Sequence, residues 1–322
     1  MERLGTRERA GFALVVCSAL GFAAMGVFAK LAYDEGLGVT TLLAVRFVLA
    51  AGVFWLLLAL RRARTPDRDS ASRPSPSRGV ILAGLGLGGV AYAAEAGTFF
   101  AALERIDLSL ASLLLYTYPA LVALGAFALG RERPDRRRLL ALAAASAGLV
   151  LVLAGAGTGA LDPLGVALAL GAAIGYSAYI LGAEGLSDRV DPWLMGALVI
   201  TGAAVSLVVA GLVTGAIDLG FGAAGWLIVA AMALISTVMA ISCFFAGIER
   251  IGGSRASIVS TVEPPATLLL AFLIFGEQLG AVQLLGGALV LAAIVVLHAP
   301  LRSRPSDPAA LPADQAAARA RA

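Results

Sequence analysis

The stretch Phe99–Glu132, FFAALERIDLSLASLLLYTYPALVALGAFALGRE, returns 145 positions later as Phe244–Glu277, FFAGIERIGGSRASIVSTVEPPATLLLAFLIFGE. The ungapped offset pairs Phe99 with Phe244, Glu104-Arg105-Ile106 with Glu249-Arg250-Ile251, Ser112 with Ser257, Pro119 with Pro264 and Glu132 with Glu277. Roughly a third or more of the positions are identical, far above chance, so one ancestral unit occurs twice. Both copies are almost continuously apolar. A duplicated membrane unit with the solute path between its halves is how many transporters are built.

Composition agrees. Of 322 residues, 60% are hydrophobic and 14% charged, with a mean hydropathy of +0.91. Soluble domains run at about half apolar and about a quarter charged, so the chain is expected to be an integral membrane protein. The 38 glycines fit close helix packing, with Gly84-x-x-x-Gly88, Gly171-x-x-x-Gly175 and Gly211-x-x-x-Gly215 as candidate contacts. Cys17 and Cys243 both lie inside apolar runs without metal-ligand spacing, and read as packed thiols.

Apolar runs of about 20 residues each span the ~30 Å hydrocarbon core. They fall near 11–31, 39–60, 79–102, 108–129, 139–156, 163–183, 193–213, 223–245, 255–275 and 281–298, giving ten expected transmembrane helices. The short connections predict that consecutive helices are antiparallel neighbours. The Pro/Ser/Arg segment 61–78 and the Pro/Ala/Arg tail 299–322 are too polar to fold and are expected to be disordered and cytoplasmic. With the N-terminus in the cytoplasm, 21 of the 24 Arg and Lys fall on inside segments, two (Lys30 and Arg105) outside, and Arg46 within a span. Both termini are therefore expected inside. Five spans per unit force the second copy to insert upside down, so the expected units are 11–156 and 163–298, an inverted pair around a central cavity.

Several stretches together resemble the EamA-like family of the drug/metabolite transporter superfamily. They are Gly21–Lys30, Ala44-Val45-Arg46-Phe47, Leu114-Leu115-Tyr116-Thr117-Tyr118-Pro119, Gly130-Arg131-Glu132, Val262-Glu263-Pro264 and Gly276-Glu277. The resemblance covers nearly the whole chain. It implies ten helices in two inverted five-helix units, an inner-membrane location, and export or exchange of small metabolites, often amino acids. The chain departs from the commonest pattern at Glu95 and at Arg131.

A charge inside a membrane helix costs about 2.5–3.5 kcal/mol or more, so it faces a partner or an aqueous cavity. Arg46, Glu95 and Glu263 are such charges, and Lys30 lies near a helix end where it could snorkel to water. In one reading Arg46, with Lys30, binds a substrate carboxylate while Glu95 takes its amino group or a coupling proton. In the other, Arg46 and Glu95 form a structural pair and Lys30 is an interfacial anchor. Glu263 and its counterpart Tyr118 precede Pro264 and Pro119, where loss of an amide donor should kink or loosen the helices and form hinges beside the cavity. The alternative for Glu263 is a bond to Ser260 or Thr261. Tyr92, Phe99, Tyr116, Tyr176, Tyr179 and Trp193 could shape a pocket or serve as packing.

Other patterns carry less. Gly84-Leu-Gly86-Leu-Gly88-Gly89 contains G-x-G-x-x-G without a preceding strand. Glu132 and Glu277 read as helix-end caps, and His298, the only histidine, as a terminal side chain. Neither a metal cluster nor a catalytic triad is expected, and no cofactor. The expected partners are a small-molecule substrate, membrane lipids and a proton as candidate coupling ion; nucleic acid is not among them, and a monomer or homodimer suffices. A membrane scaffold or sensor and a membrane-embedded enzyme are the alternatives to a transporter.

Overall fold

The computed structural model describes residues 6–64, 76–131, 136–155, 162–187 and 189–298. Among them the chain is all helical, in ten rods: α1 Thr6–Asp34, α2 Val39–Arg64, α3 Arg78–Leu103, α4 Leu108–Ala128, α5 Arg136–Gly155, α6 Pro163–Ser187, α7 Pro192–Thr214, α8 Ala223–Ile251, α9 with its two parts Gly253–Ser260 and Glu263–Phe275, and α10 Ala281–His298. Eight are long and apolar enough to cross a membrane, while the apolar stretches of α5 and α10, Leu139–Gly155 and Ala281–Val296, are shorter.

The helices follow from their sequences. Apolar residues occupy every face rather than one stripe, the mark of a helix surrounded by protein or lipid. Leu56, Leu82, Val90, Leu124, Leu212 and Val213 accordingly project outward from the bundle. Asp162 and Asp191 cap α6 and α7, accepting from the amides of Leu164 and Gly165 and of Trp193 and Leu194, just ahead of Pro163 and Pro192. Gly215 and Gly276 close α7 and α9 in the left-handed conformation.

Three expectations are corrected. Arg61–Arg64 and Arg78 are helical rather than part of a loop. The Arg61 Nη2 donates to Glu249 Oε1 at 3.0 Å and its guanidinium lies over the Trp193 ring, so a long charged side chain reaches out while the backbone continues. Residues 65–75 and the tail 299–322 lie outside the described residues. Second, the densest packing is not between consecutive helices but between halves: α5 on α10, α1 on α8, α2 on α7 and α3 on α6. Exchange of the two halves maps this pattern onto itself, since α1–α8 becomes α6–α3 while α2–α7 and α5–α10 are self-paired. Small residues allow it: an added Cβ at Gly88 would stand 2.0 Å from the Val199 carbonyl oxygen, and one at Gly202 2.1 Å from that of Leu85.

Third, of the expected kink or loosening at the prolines, the structure shows a break rather than a bend in a continuous helix. α4 is interrupted at Tyr116–Thr117 and α9 at Thr261–Val262, the same place in each copy, and Pro119 and Pro264 sit in the first turn of the new segment. A proline lacks the amide that would continue the ladder, so the helix ends and restarts. The freed polar groups are met locally. Thr117 Oγ1 donates to the Leu114 carbonyl and Thr261 Oγ1 to that of Ile258, both at 2.7 Å, and the Tyr118 carbonyl accepts from Ser177 of α6 at 3.2 Å. The two copies share one further irregularity. Leu87–Tyr92 of α3 and Met232–Met239 of α8 are π-helical, and their starts are again 145 residues apart. Such widened turns cluster at functional sites.

Candidate substrate cavity

A cavity of about 360 Å³ lies where the halves meet. Its wall takes residues from α1, α2, α3 and α4 of the first half and α6, α7, α8 and α9 of the second. The volume is at the small end of ligand pockets, which run to about 300–1,000 Å³.

Arg46 enters from α2 and is fully buried. Its Nε donates to Thr237 Oγ1 at 3.0 Å, and its guanidinium faces the rings of Phe47 at 4.7 Å and Phe100 at 5.4 Å. Thr237 is placed by the π-helical turn of α8, so the irregular backbone of one half holds the intramembrane arginine of the other. Arg46 Nη1 has no hydrogen-bond partner among the described residues. Leaving such a group unmet in a water-poor interior is costly.

Glu95, on α3, lines the same cavity and is 9% exposed. The structural Arg46–Glu95 pair is not formed: no ion pair or hydrogen bond to the Glu95 carboxylate is present among the described residues. Glu263 opens the second part of α9 and lines the same cavity. It is not bonded to Ser260 or Thr261, whose hydroxyls donate to the Ala256 and Ile258 carbonyls instead. Its side-chain neighbour is the Tyr116 hydroxyl.

Between the carboxylates runs an unbroken series of rings. Centroid distances are 5.2 Å for Tyr92–Tyr179, 5.9 Å for Tyr179–Tyr176, 4.6 Å for Tyr176–Tyr118 and 6.2 Å for Tyr118–Tyr116. Tyr176 and Tyr179 share one face of α6 through their spacing of three, and their planes are 9° apart.

Of the residues singled out in the sequence, Arg46, Tyr92, Glu95, Phe99, Tyr116, Tyr118, Tyr176, Tyr179 and Glu263 all line this cavity. Lys30 and Trp193 are not part of its wall. Trp193 packs with Phe54 and Phe245 near the Arg61 end of the bundle. Lys30 Nζ pairs with Glu277 Oε1 at 3.0 Å, and the Glu277 carboxylate also accepts from the amides of Leu108 (2.9 Å) and Ser109 (2.8 Å). Glu277 thus caps the start of α4, whereas Glu132 lies outside the described residues. Burial pushes the Glu277 carboxyl up, but the Ser109 and Leu108 bonds and the Lys30 charge outweigh it and hold its pKa below the ordinary 4.5. The wall also contains Phe100, Phe244 and Phe245, none of them among the expected site residues. The doubled Phe-Phe at the start of each copy was the available signal. Thr237 had none, because its role depends on the π-helical turn.

The sequence matches the model of the EamA-like transporter family twice, over residues 9–154 and 163–298. The chain belongs to the EamA-like transporter family. It is therefore a multi-pass integral membrane protein of a transporter family, built from two repeats. Relatives include the uncharacterized transporter YcbK of Bacillus subtilis, 24% identical over 88% of this chain and 92% of that protein. An uncharacterized transporter of Archaeoglobus fulgidus is 28% identical over 89% of this chain and 96% of its own. A solved crystal structure with 18% sequence identity superposes with a TM-score of 0.59, covering 90% of this chain and 97% of the other, and so shares the fold.

Proposed function

We propose that the protein is a secondary transporter of the inner membrane that exports small amphipathic metabolites, most of all amino acids and related compounds, by alternating access. Ten spans form two inverted five-helix halves with both termini in the cytoplasm, and the halves rock about the breaks before Pro119 and Pro264. In the cavity Arg46 takes the substrate carboxylate, and Glu95 takes the amino group or a coupling proton. The tyrosines and Phe99 accommodate the side chain. The amino-acid preference rests on the resemblance to the family. Energy comes from solute or proton gradients.

One observation carries this reading. A buried guanidinium and a buried carboxylate line the same between-halves cavity, with no ion pair between them among the described residues, and the guanidinium retains an unmet Nη1. Counterflow of labelled amino acids in proteoliposomes tests it. The wild type should show saturable exchange. Glu95→Gln should lower the rate at least about tenfold, as expected when a desolvated charged contact is lost. Equal rates and equal pH dependence in wild type and variant would remove Glu95 from both roles, and no exchange of any amino acid would reject the transport reading.

A further inference from the structure

Resting on that reading, the remaining groups in the cavity point to a narrower substrate class. A neutral amino acid is matched by Arg46 for its carboxylate and Glu95 for its ammonium. Glu263 is then left over, half-buried in the same wall without a cationic partner among the described residues. The charged groups of the wall are two carboxylates and one guanidinium. Arg46 does not serve Glu263, since no ion pair joins them among the described residues; its Nε is held by Thr237 and its Nη1 is left for the substrate carboxylate.

The surroundings of Glu263 favour a cation as well. Tyr118 stands at the equivalent position in the other copy, and Tyr176 meets it edge to face at 4.6 Å. Tyr116 lies beside Glu263 itself. Ring faces attract cations, most strongly away from water. The same series of rings continues through Tyr179 and Tyr92 to the α3 turn that carries Glu95, with Tyr92 three residues before it. A ligand can therefore lie along one aromatic wall with a carboxylate at each end.

We infer that Glu263, with Tyr116, Tyr118 and Tyr176, forms a second cationic subsite, and that the cavity selects a diamino acid of net charge +1 over neutral amino acids. The α-carboxylate meets Arg46, the α-ammonium Glu95, and the side-chain ammonium Glu263. A substrate of net charge +1 balances the wall, whereas a neutral one leaves the half-buried Glu263 carboxylate without a counter-charge in the cavity.

The test uses full-length protein in lipid nanodiscs and three probes: L-lysine, L-norleucine, which has the same chain without the side-chain ammonium, and cadaverine, which lacks the carboxylate. In competition against labelled lysine, unlabelled lysine should bind at least about tenfold tighter than norleucine, the margin one desolvated cation–ring contact supplies. Cadaverine should fall below lysine because Arg46 is left unserved. Glu263→Gln should bring the lysine-to-norleucine ratio close to one, and Tyr176→Leu should reduce it in part, which keeps the test open if either variant fails to fold. Norleucine equal to lysine in the wild type, or a ratio undiminished by a folded Glu263→Gln, overturns the second subsite while leaving the transport reading intact. Cadaverine binding more tightly than lysine overturns the diamino-acid assignment. Absence of saturable binding by every probe overturns both this inference and the amino-acid reading beneath it.

Discussion

Arg46 sets the terms for the residues around it. A guanidinium buried in an apolar bundle needs hydrogen-bond acceptors and ring faces. It receives one acceptor from Thr237 and two rings from Phe47 and Phe100, and keeps one amine in reserve. The same economy of space governs the glycines. Gly88 meets the backbone of Val199 so closely that a Cβ would have to displace main chain, while Gly86, two residues away, faces open space. We therefore expect Gly88→Val to lose about 1–3 kcal/mol of stability through overpacking. Gly86→Ala should be neutral or gain up to about 1 kcal/mol from helix propensity. Unfolding midpoints in detergent, compared side by side, check the pair. Equal midpoints would mean that α3 and α7 do not approach as described. Of the three small-residue motifs visible in the sequence, only the one ending at Gly88 is a tight contact throughout. Gly171 faces open space, and Gly215 terminates a helix. Spacing alone could not rank them, because a glycine-rich chain produces such spacings everywhere.

At the scale of elements, one carboxylate joins the two halves at the Lys30 end. Glu277, in the turn between α9 and α10, holds the first two amides of α4 and the ammonium at the end of α1. Leu108, at that same helix start, is fully buried, lines the cavity and fills the notch left by Gly26, where a Cβ would stand 2.2 Å from its Cδ1. Releasing Glu277 should loosen the cavity at this end. In protein with Cys17 and Cys243 replaced by alanine, a Leu108→Cys reporter should react several-fold faster with an impermeant maleimide once Glu277 is changed to Gln. The pH dependence has a definite sign. The carboxyl is held below its ordinary 4.5, so its stabilisation is present above that value and is lost as pH falls through the lower folded value. Reporter accessibility, read at each pH by a pH-insensitive thiol reagent, should therefore stay flat from neutral pH down to about 5 and rise only below 4.5. A rise already at pH 6 would assign the change to another group. The rods themselves were legible: the run 108–129 is Leu108–Ala128 and the run 163–183 is Pro163–Ser187. The π-helical turns were not, since π and α turns draw on the same apolar residues and local sequence does not separate them.

For the whole molecule, the packing survives exchange of its halves, with α1 on α8 matched by α6 on α3 and α2 on α8 by α7 on α3. Two five-helix units related in this way bring both chain ends to the same face if they are inverted. Reporter fusions at residue 1 and residue 322 should thus both be active in the cytoplasm, and reporters on opposite faces would exclude the inverted arrangement. The Arg61, Arg131 and Arg255 end carries exposed ion pairs to Glu249, Glu184 and Glu8.

The sequence on its own determined that the chain is a duplicated, membrane-embedded bundle, because hydropathy and self-similarity are properties of the string and need no partner. It also singled out Arg46, Glu95 and Glu263, because charge is conspicuous in a span. Only the tertiary structure decided that these three share one cavity, that Lys30 instead meets Glu277, and that Thr237 holds the arginine. Helices apolar on every side carry no stripe to say which face turns inward. That choice is made by backbone contacts at small residues and by where polar groups find partners, both of which exist only once the halves have come together.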